Sequence, residues 1–219
     1  MKKEINLLEA HPKTTRDYNK RAKEKTPEVV SIAKQFGRDF FDGDRLCGYG
    51  GYRYDGRWKS VVKRMRDLYK LPDNAAILDI GCGKGFMLHD FKELMPEATI
   101  AGIDLSDYAI SNAMDSVKDY LKIASAEKLP YPDKSFDLVV SVNSIHNLPL
   151  EQLKTALREI QRVCRGDSYI TIDAWRNEKE RENLFKWVLT AETMMHVDDW
   201  KKLFLETGYT GDYWWFIAD

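Results

Sequence analysis

The chain has 219 residues, 43% apolar and 32% charged, a globular mix that excludes collagen-like, disulfide-rich and largely disordered classes. Its net charge is −1, and its apolar runs fall far short of the roughly 18 residues a membrane helix needs. Cys47, Cys82 and Cys164 are widely spaced and form neither a zinc motif nor a disulfide framework, which suits a reduced, cytoplasmic setting.

The first 70 residues differ from the rest. The opening MKKEINLLEAHPK is basic but carries acids and no apolar core, so it does not read as a secretory signal. Residues 1–26 carry a net +4 and residues 45–70 a net +6, leaving an acidic remainder. A basic extension over an acidic body points to an anionic partner, although solvated helix faces would produce the same counts. Helical spacing over 27–36 and 58–69 brackets a Gly/Tyr/Arg-rich loop at 43–56.

From residue 75 the pattern alternates. Short apolar runs at 75–81, 98–106, 120–126, 135–144, 168–175 and 211–218 read as strands. Between them, 85–96, 107–120, 150–164 and 197–208 read as helices; Gly208 ends the last. Such alternation predicts an α/β fold, a parallel sheet with helices on both faces, binding ligands beyond the carboxyl ends of its strands. The reading divides the chain into an extension, 1–70, and a binding domain, 71–219.

The first strand runs into Asp79-Ile80-Gly81-Cys82-Gly83-Lys84-Gly85-Phe86. A dinucleotide fingerprint would place its third glycine at position 86, which is Phe. A carboxylate at Asp79 would repel a pyrophosphate and suits a cationic ligand. Asp104 ends the second strand, where an acid is placed to accept ribose hydroxyls.

In order, ILDIGCGKG, GIDLS and AEKLPYPDKSFDLVVS resemble the motifs of class I S-adenosylmethionine-dependent methyltransferases of the small-molecule type, over about residues 75–175. The resemblance implies a Rossmann-like sheet with an N-terminal helical lid, S-adenosylmethionine as cofactor and S-adenosylhomocysteine as product. It places Gly81 and Gly83 under the methionine part and Asp79 by its amino group. Asp104 would take the ribose hydroxyls and Leu105 the adenine. Ser125, Ala126 and Glu127 would line the adenine edge, with Ser125 where the family often has Asp. Asn143 would offer its backbone carbonyl to the amino group. The family usually ends in a strand hairpin; one clear strand follows the last helix here, so the sheet has six strands or seven.

A sulfonium methyl is already activated, so transfer is an in-line displacement that alignment accelerates. His146, after the fourth strand, is the candidate base; packing would explain it equally well. Asp173 and Arg176 follow the fifth strand and are candidate substrate contacts, with a salt-bridged rim as the alternative. Tyr49, Tyr52, Tyr54, Arg57 and Trp58 read as a substrate lid, since tyrosines supply hydroxyls and flat faces and arginine a fork for phosphate or carboxylate. An ordered structural loop is the alternative. The expectation is methyl transfer to a small phosphorylated, nucleotide-linked or carboxylated acceptor, with no metal and no membrane. A tRNA or protein acceptor, or a non-catalytic binding module, are the alternatives; near-neutral charge and no separate RNA-binding module argue against nucleic acid. The aromatic Tyr213-Trp214-Trp215 strand suits the core or a homodimer interface.

Overall fold

A computed structural model describes residues 3–11 and 15–219; Lys2 and Lys13 of the basic N-terminal stretch lie outside the described residues. Seven strands form one sheet: β1 (Ala76–Ile80), β2 (Thr99–Asp104), β3 (Leu121–Ile123), β4 (Phe136–Val142), β5 (Cys164–Trp175), β6 (Met195–His196) and β7 (Asp212–Phe216). The order is β3-β2-β1-β4-β5, every pairing is parallel, and β6 and β7 share the outer side of β5. β7 runs along Tyr169–Asp173, and β6 continues that edge beside Ala174 and Trp175.

Burial on both faces explains the strand composition. Along β1, Ile77 turns to one face while Leu78 and Ile80 turn to the other, the period-two alternation of a strand. On the first face, Val61, Val62 and Met65 of α4 (Lys59–Tyr69) meet Leu88 and Phe91 of α5 (Phe86–Leu94). The opposite face takes Leu153, Leu157 and Ile160 of α7 (Leu150–Val163) and Trp200 and Phe204 of α9 (Val197–Thr207). His196 caps α9, its Nδ1 accepting from the Asp198 amide, and left-handed Gly208 ends it. Four further helices are α1 (Tyr18–Glu24), α2 (Pro27–Lys34), α3 (Arg38–Phe41) and α8 (Glu178–Trp187). Among the described residues no helix is long and apolar enough to cross a membrane.

Several elements depart from the sequence pattern, among them α1, α3 and β6, where it predicts no element. The helix expected at 107–120 stops after α6 (Asp107–Ser111), and a 3₁₀ turn follows at 118–120. Tertiary contacts override propensity there: the Met114 amide bonds the Lys84 carbonyl, and Val117 packs so close to Gly85 that a Cβ would lie 2.6 Å from it. β5 starts at Cys164 rather than 168, because α7 passes into it without a loop. α8 was not predicted, since Leu184 is its single fully buried residue and no apolar stripe marks it.

The last strand lies in the core: Tyr213 and Trp215 are buried and stack beside Phe204. Its outer edge is occupied by the N-terminal segment. The Ile5 amide donates to the Tyr213 carbonyl at 2.9 Å, and the Tyr213 amide donates to the Lys3 carbonyl at 3.0 Å. Tyr169 Oη donates to the Ile5 carbonyl and accepts from the Leu7 amide, and Leu7 is buried in the α4–α5 layer. Leu7→Ala should therefore destabilise the fold by about 2–5 kcal/mol, read as a shifted midpoint of a single transition in urea. A loss confined to local fraying would show that these residues add nothing to the core.

Candidate active site

A cavity of about 730 Å³ opens at the carboxyl ends of the strands, within the range of small-molecule sites. Its floor takes Gly81 and Gly83 after β1, Asp104 at the end of β2, Asn143 and His146 after β4, and Asp173 in β5. Its roof comes from the N-terminal residues. Phe41 and Tyr52 reach over Gly83, Tyr52 stacks on Phe86 and Tyr49 leans on Tyr52, with centroids 4.7 and 4.5 Å apart. This roof is pinned where Lys84 Nζ meets Asp42 at 2.6 Å, and where Ser106 Oγ donates to the Phe36 carbonyl at 2.5 Å.

The turn after β1 demands glycine. Gly81 has φ +78°, and a Cβ there would lie 1.9 Å from Ser144 Oγ. Gly83 has φ +54°, and its amide donates to Asp104 Oδ2 at 2.8 Å. Ser106 donates its amide to Asp104 Oδ1 at 2.8 Å, so the carboxylate is held rigidly at the cavity wall. Burial raises the Asp104 pKa, against backbone N–H groups that favour the charged form. Burial, helped by Asp104, pushes the Asp79 carboxyl up to about 8. Asn143 is left-handed, φ +50°, a conformation Asn tolerates, and Thr171 locks it by accepting from its amide and donating to Oδ1.

His146 and Asp173 form a buried pair, Nε2 to Oδ2 3.4 Å. Glu192 and Thr193 amides hold the His146 carbonyl, and the Trp200 indole donates to the Asp173 carbonyl. Nδ1 of His146 is buried with no hydrogen-bond partner among the described residues. Burial lowers the His146 pKa, with Asp173 opposing; burial raises that of Asp173, with His146 and Arg16 opposing. At neutral pH the imidazole is therefore neutral and able to take a proton.

Of the residues singled out in the sequence, Tyr49, Tyr52, Arg57, Gly81, Gly83, Asp104, Leu105, Ala126, Asn143, His146 and Asp173 line this one cavity. The others fall outside its lining. Tyr54 Oη donates to Asp90, and its ring packs on Phe86 and His89 along α5. Trp58 packs against the α4–α5 core and His11. Arg176 is exposed, 3.8 Å from Glu4. Ser125 and Glu127 bond each other in a local turn, leaving Ala124 and Ala126 at the wall. Asp79 is buried below the turn. Arg16, Arg21, Arg45, Trp187, Trp214 and Phe216 line the cavity and were missed, because nothing local in the sequence links α1, α8 and β7.

Residues 78–172 match the family described as Methyltransferase domain. That segment is a methyltransferase domain, and the chain carries it on a Rossmann-like sheet. It is similar to a tRNA (carboxymethyluridine(34)-5-O)-methyltransferase of Arabidopsis thaliana, 33% identical over 146 residues, covering 66% of this chain and 34% of that protein. An uncharacterized Haemophilus influenzae protein is 29% identical over 178 residues, covering 76% of this chain and 63% of the relative. The chain thus spans less than two thirds of these relatives. The Bacillus subtilis YcgJ structure shares the fold, with TM-score 0.52 at 20% identity, 67% of this chain and 66% of that one covered.

Asp79 gives the family fold a testable pH signature. A raised folded value means the native state binds this proton more tightly than the unfolded chain. Its stabilising share is complete below the unfolded value of 3.8 and is lost as pH rises toward about 8. The melting temperature of Asp79→Asn should gain on wild type from pH 5 to 8 and level off above; a constant difference would place the titration elsewhere.

Proposed function

We propose that the chain catalyses S-adenosylmethionine-dependent methyl transfer to a small anionic acceptor. The observation that carries this reading is that the glycine turn, Asp104 and the buried His146–Asp173 pair open into one cavity roofed by arginines. The residues present fit the cofactor. Asp79 has no ion-pair partner among the described residues and suits an ammonium group, and Gly81 and Gly83 line the cavity with backbone alone. When bound, S-adenosylmethionine supplies a methyl group already activated on a sulfonium.

Asp104 would hold the ribose hydroxyls, and Leu105 with Ala126 the adenine. Gly81, Gly83 and Asn143 would hold the methionine end through their backbone, with Asp79 at the amino group. Tyr49 and Tyr52 exclude water above them. Neutral His146 accepts the acceptor's proton when the nucleophile carries one, and Asp173 stabilises the imidazolium that results. The Arabidopsis relative supports a second reading, an RNA acceptor, and the arginines and aromatic rings at the mouth suit base stacking.

Methyl-labelled S-adenosylmethionine, incubated with the protein and a host extract split by a size cut-off filter, tests both. Label in the filtrate supports the small acceptor; retained label assigns a macromolecule and overturns it. With the acceptor in hand, His146→Gln should lower kcat about 10²–10⁴-fold while S-adenosylhomocysteine affinity holds. An unchanged kcat would leave His146 a packing residue.

A further inference from the structure

The basic character of residues 45–70 is mostly spent on the outer surface. Lys59 pairs with Glu93, Lys63 with Asp67, Arg64 with Glu9 and Arg66 with Asp73. Arg57 reaches the cavity, but Asp55 holds its guanidinium at 2.5 Å. Three other cations behave differently. Arg16, Arg21 and Arg45 all line the cavity, and none has a salt-bridge partner among the described residues. Their guanidinium carbons lie 5.5, 5.5 and 5.8 Å from the centroid of one ring, that of Trp187. Three like charges around one indole repel each other in a partly desolvated wall, and this arrangement is costly without an anion between them.

We infer that Arg16, Arg21 and Arg45, gathered around the Trp187 ring, form a subsite for a carboxylate or phosphate group carried by the acceptor. Arg16 is the group most evidently short of a partner. Its Nε is buried with no hydrogen bond, and its guanidinium lies 4.6 Å from the Phe216 ring centroid. Arg21 spends Nη1 on the Leu46 carbonyl and Nε on the Trp187 carbonyl, and Arg45 spends Nη1 on Gly48. The remaining N–H groups of each fork are left for a ligand, and planar forks match the oxygens of carboxylate and phosphate. Burial and the neighbouring Arg45 both lower the Arg21 pKa, with Glu24 and Cys47 opposing, the mark of charge crowded against charge. The acids that face the group are Glu24 toward Arg21 and Asp173 toward Arg16; Asp173 is shared with His146.

Position decides between the two anions that methyl transfer brings to the cavity. Trp187 ends α8 and Phe216 ends β7, both beyond β5, whereas Gly81 and Asn143 follow β1 and β4. The two rings that Arg16 lies against thus stand on the β5 side of the cavity, away from the glycine turn after β1. The donor's own carboxylate belongs at that turn, which leaves this subsite to the acceptor. The assignment rests on the methyl-transfer reading above and adds the acceptor's anchoring group to it.

Sodium phosphate is the probe, titrated into the full chain saturated with S-adenosylhomocysteine, at constant ionic strength set with chloride. Tryptophan fluorescence reports binding, with Trp187→Phe as the optical control. Wild type should show a saturable change that Trp187→Phe lacks, and Arg16→Gln should weaken it about tenfold, with Arg16→Lys between the two. If Arg16→Gln no longer binds S-adenosylhomocysteine, the exposed Arg45→Gln carries the same test. A midpoint unchanged in the glutamine variants, or phosphate that displaces S-adenosylhomocysteine, overturns the subsite and leaves the methyl-transfer reading intact. A wild type that binds phosphate but no S-adenosylhomocysteine overturns the methyl-transfer reading instead.

Discussion

Three carboxylates, Asp79, Asp104 and Asp173, stand in β1, β2 and β5 at or near their carboxyl ends, where little water reaches them. Burial raises the pKa of each. A parallel sheet concentrates such groups, because every strand delivers its last residues to the same edge. Holding them there is unfavourable unless something cationic or hydrogen-bond-donating faces them. The rest of the architecture answers that need by degrees. Backbone amides of Gly83 and Ser106 hold Asp104, His146 and Arg16 attend Asp173, and Asp79 has no ion-pair partner among the described residues.

The N-terminal residues make this edge a cavity rather than a surface cleft. They are tied to the body at separate points: residues 3–7 on β7 and Tyr169, Asp42 on Lys84, and Phe36 on Ser106. The first tie also closes the sheet's β7 edge, the exposed edge that would otherwise invite pairing with another chain. Held at these points, the N-terminal residues lay aromatic rings over the glycine turn and bring Arg16 toward Asp173. One stretch of chain thereby covers the sheet's outer edge and roofs the site.

Charge counting and tertiary geometry agree here on the property and differ on the residues. The excess of Lys and Arg before residue 71 points to an anionic partner, and cations do roof the cavity. Most of the run at 45–70 is nevertheless neutralised outside by acids distant in sequence, such as Glu9 and Glu93. The cavity-lining cations without a salt-bridge partner among the described residues are Arg16, Arg21 and Arg45, and what gathers them is Trp187, more than 140 positions along the chain. Tyr54 and Trp58, equally suited in type to a lid, are drawn instead onto α5 and the α4 layer by packing.

Local sequence determined the strand–helix alternation, the parallel sheet, the glycine turn and the placement of Asp104 and His146 at the cavity. Each depends on spacing within a few residues: an apolar run that only a strand buries twice, a φ that only glycine adopts cheaply, a side chain one position past a strand end. Tertiary structure alone decided how far α6 runs, that β7 lies parallel to β5 with residues 3–5 on its edge, and which arginines gather at Trp187. Those outcomes depend on contacts between segments far apart in the chain, and side-chain type carries no record of distant neighbours until the core brings them together.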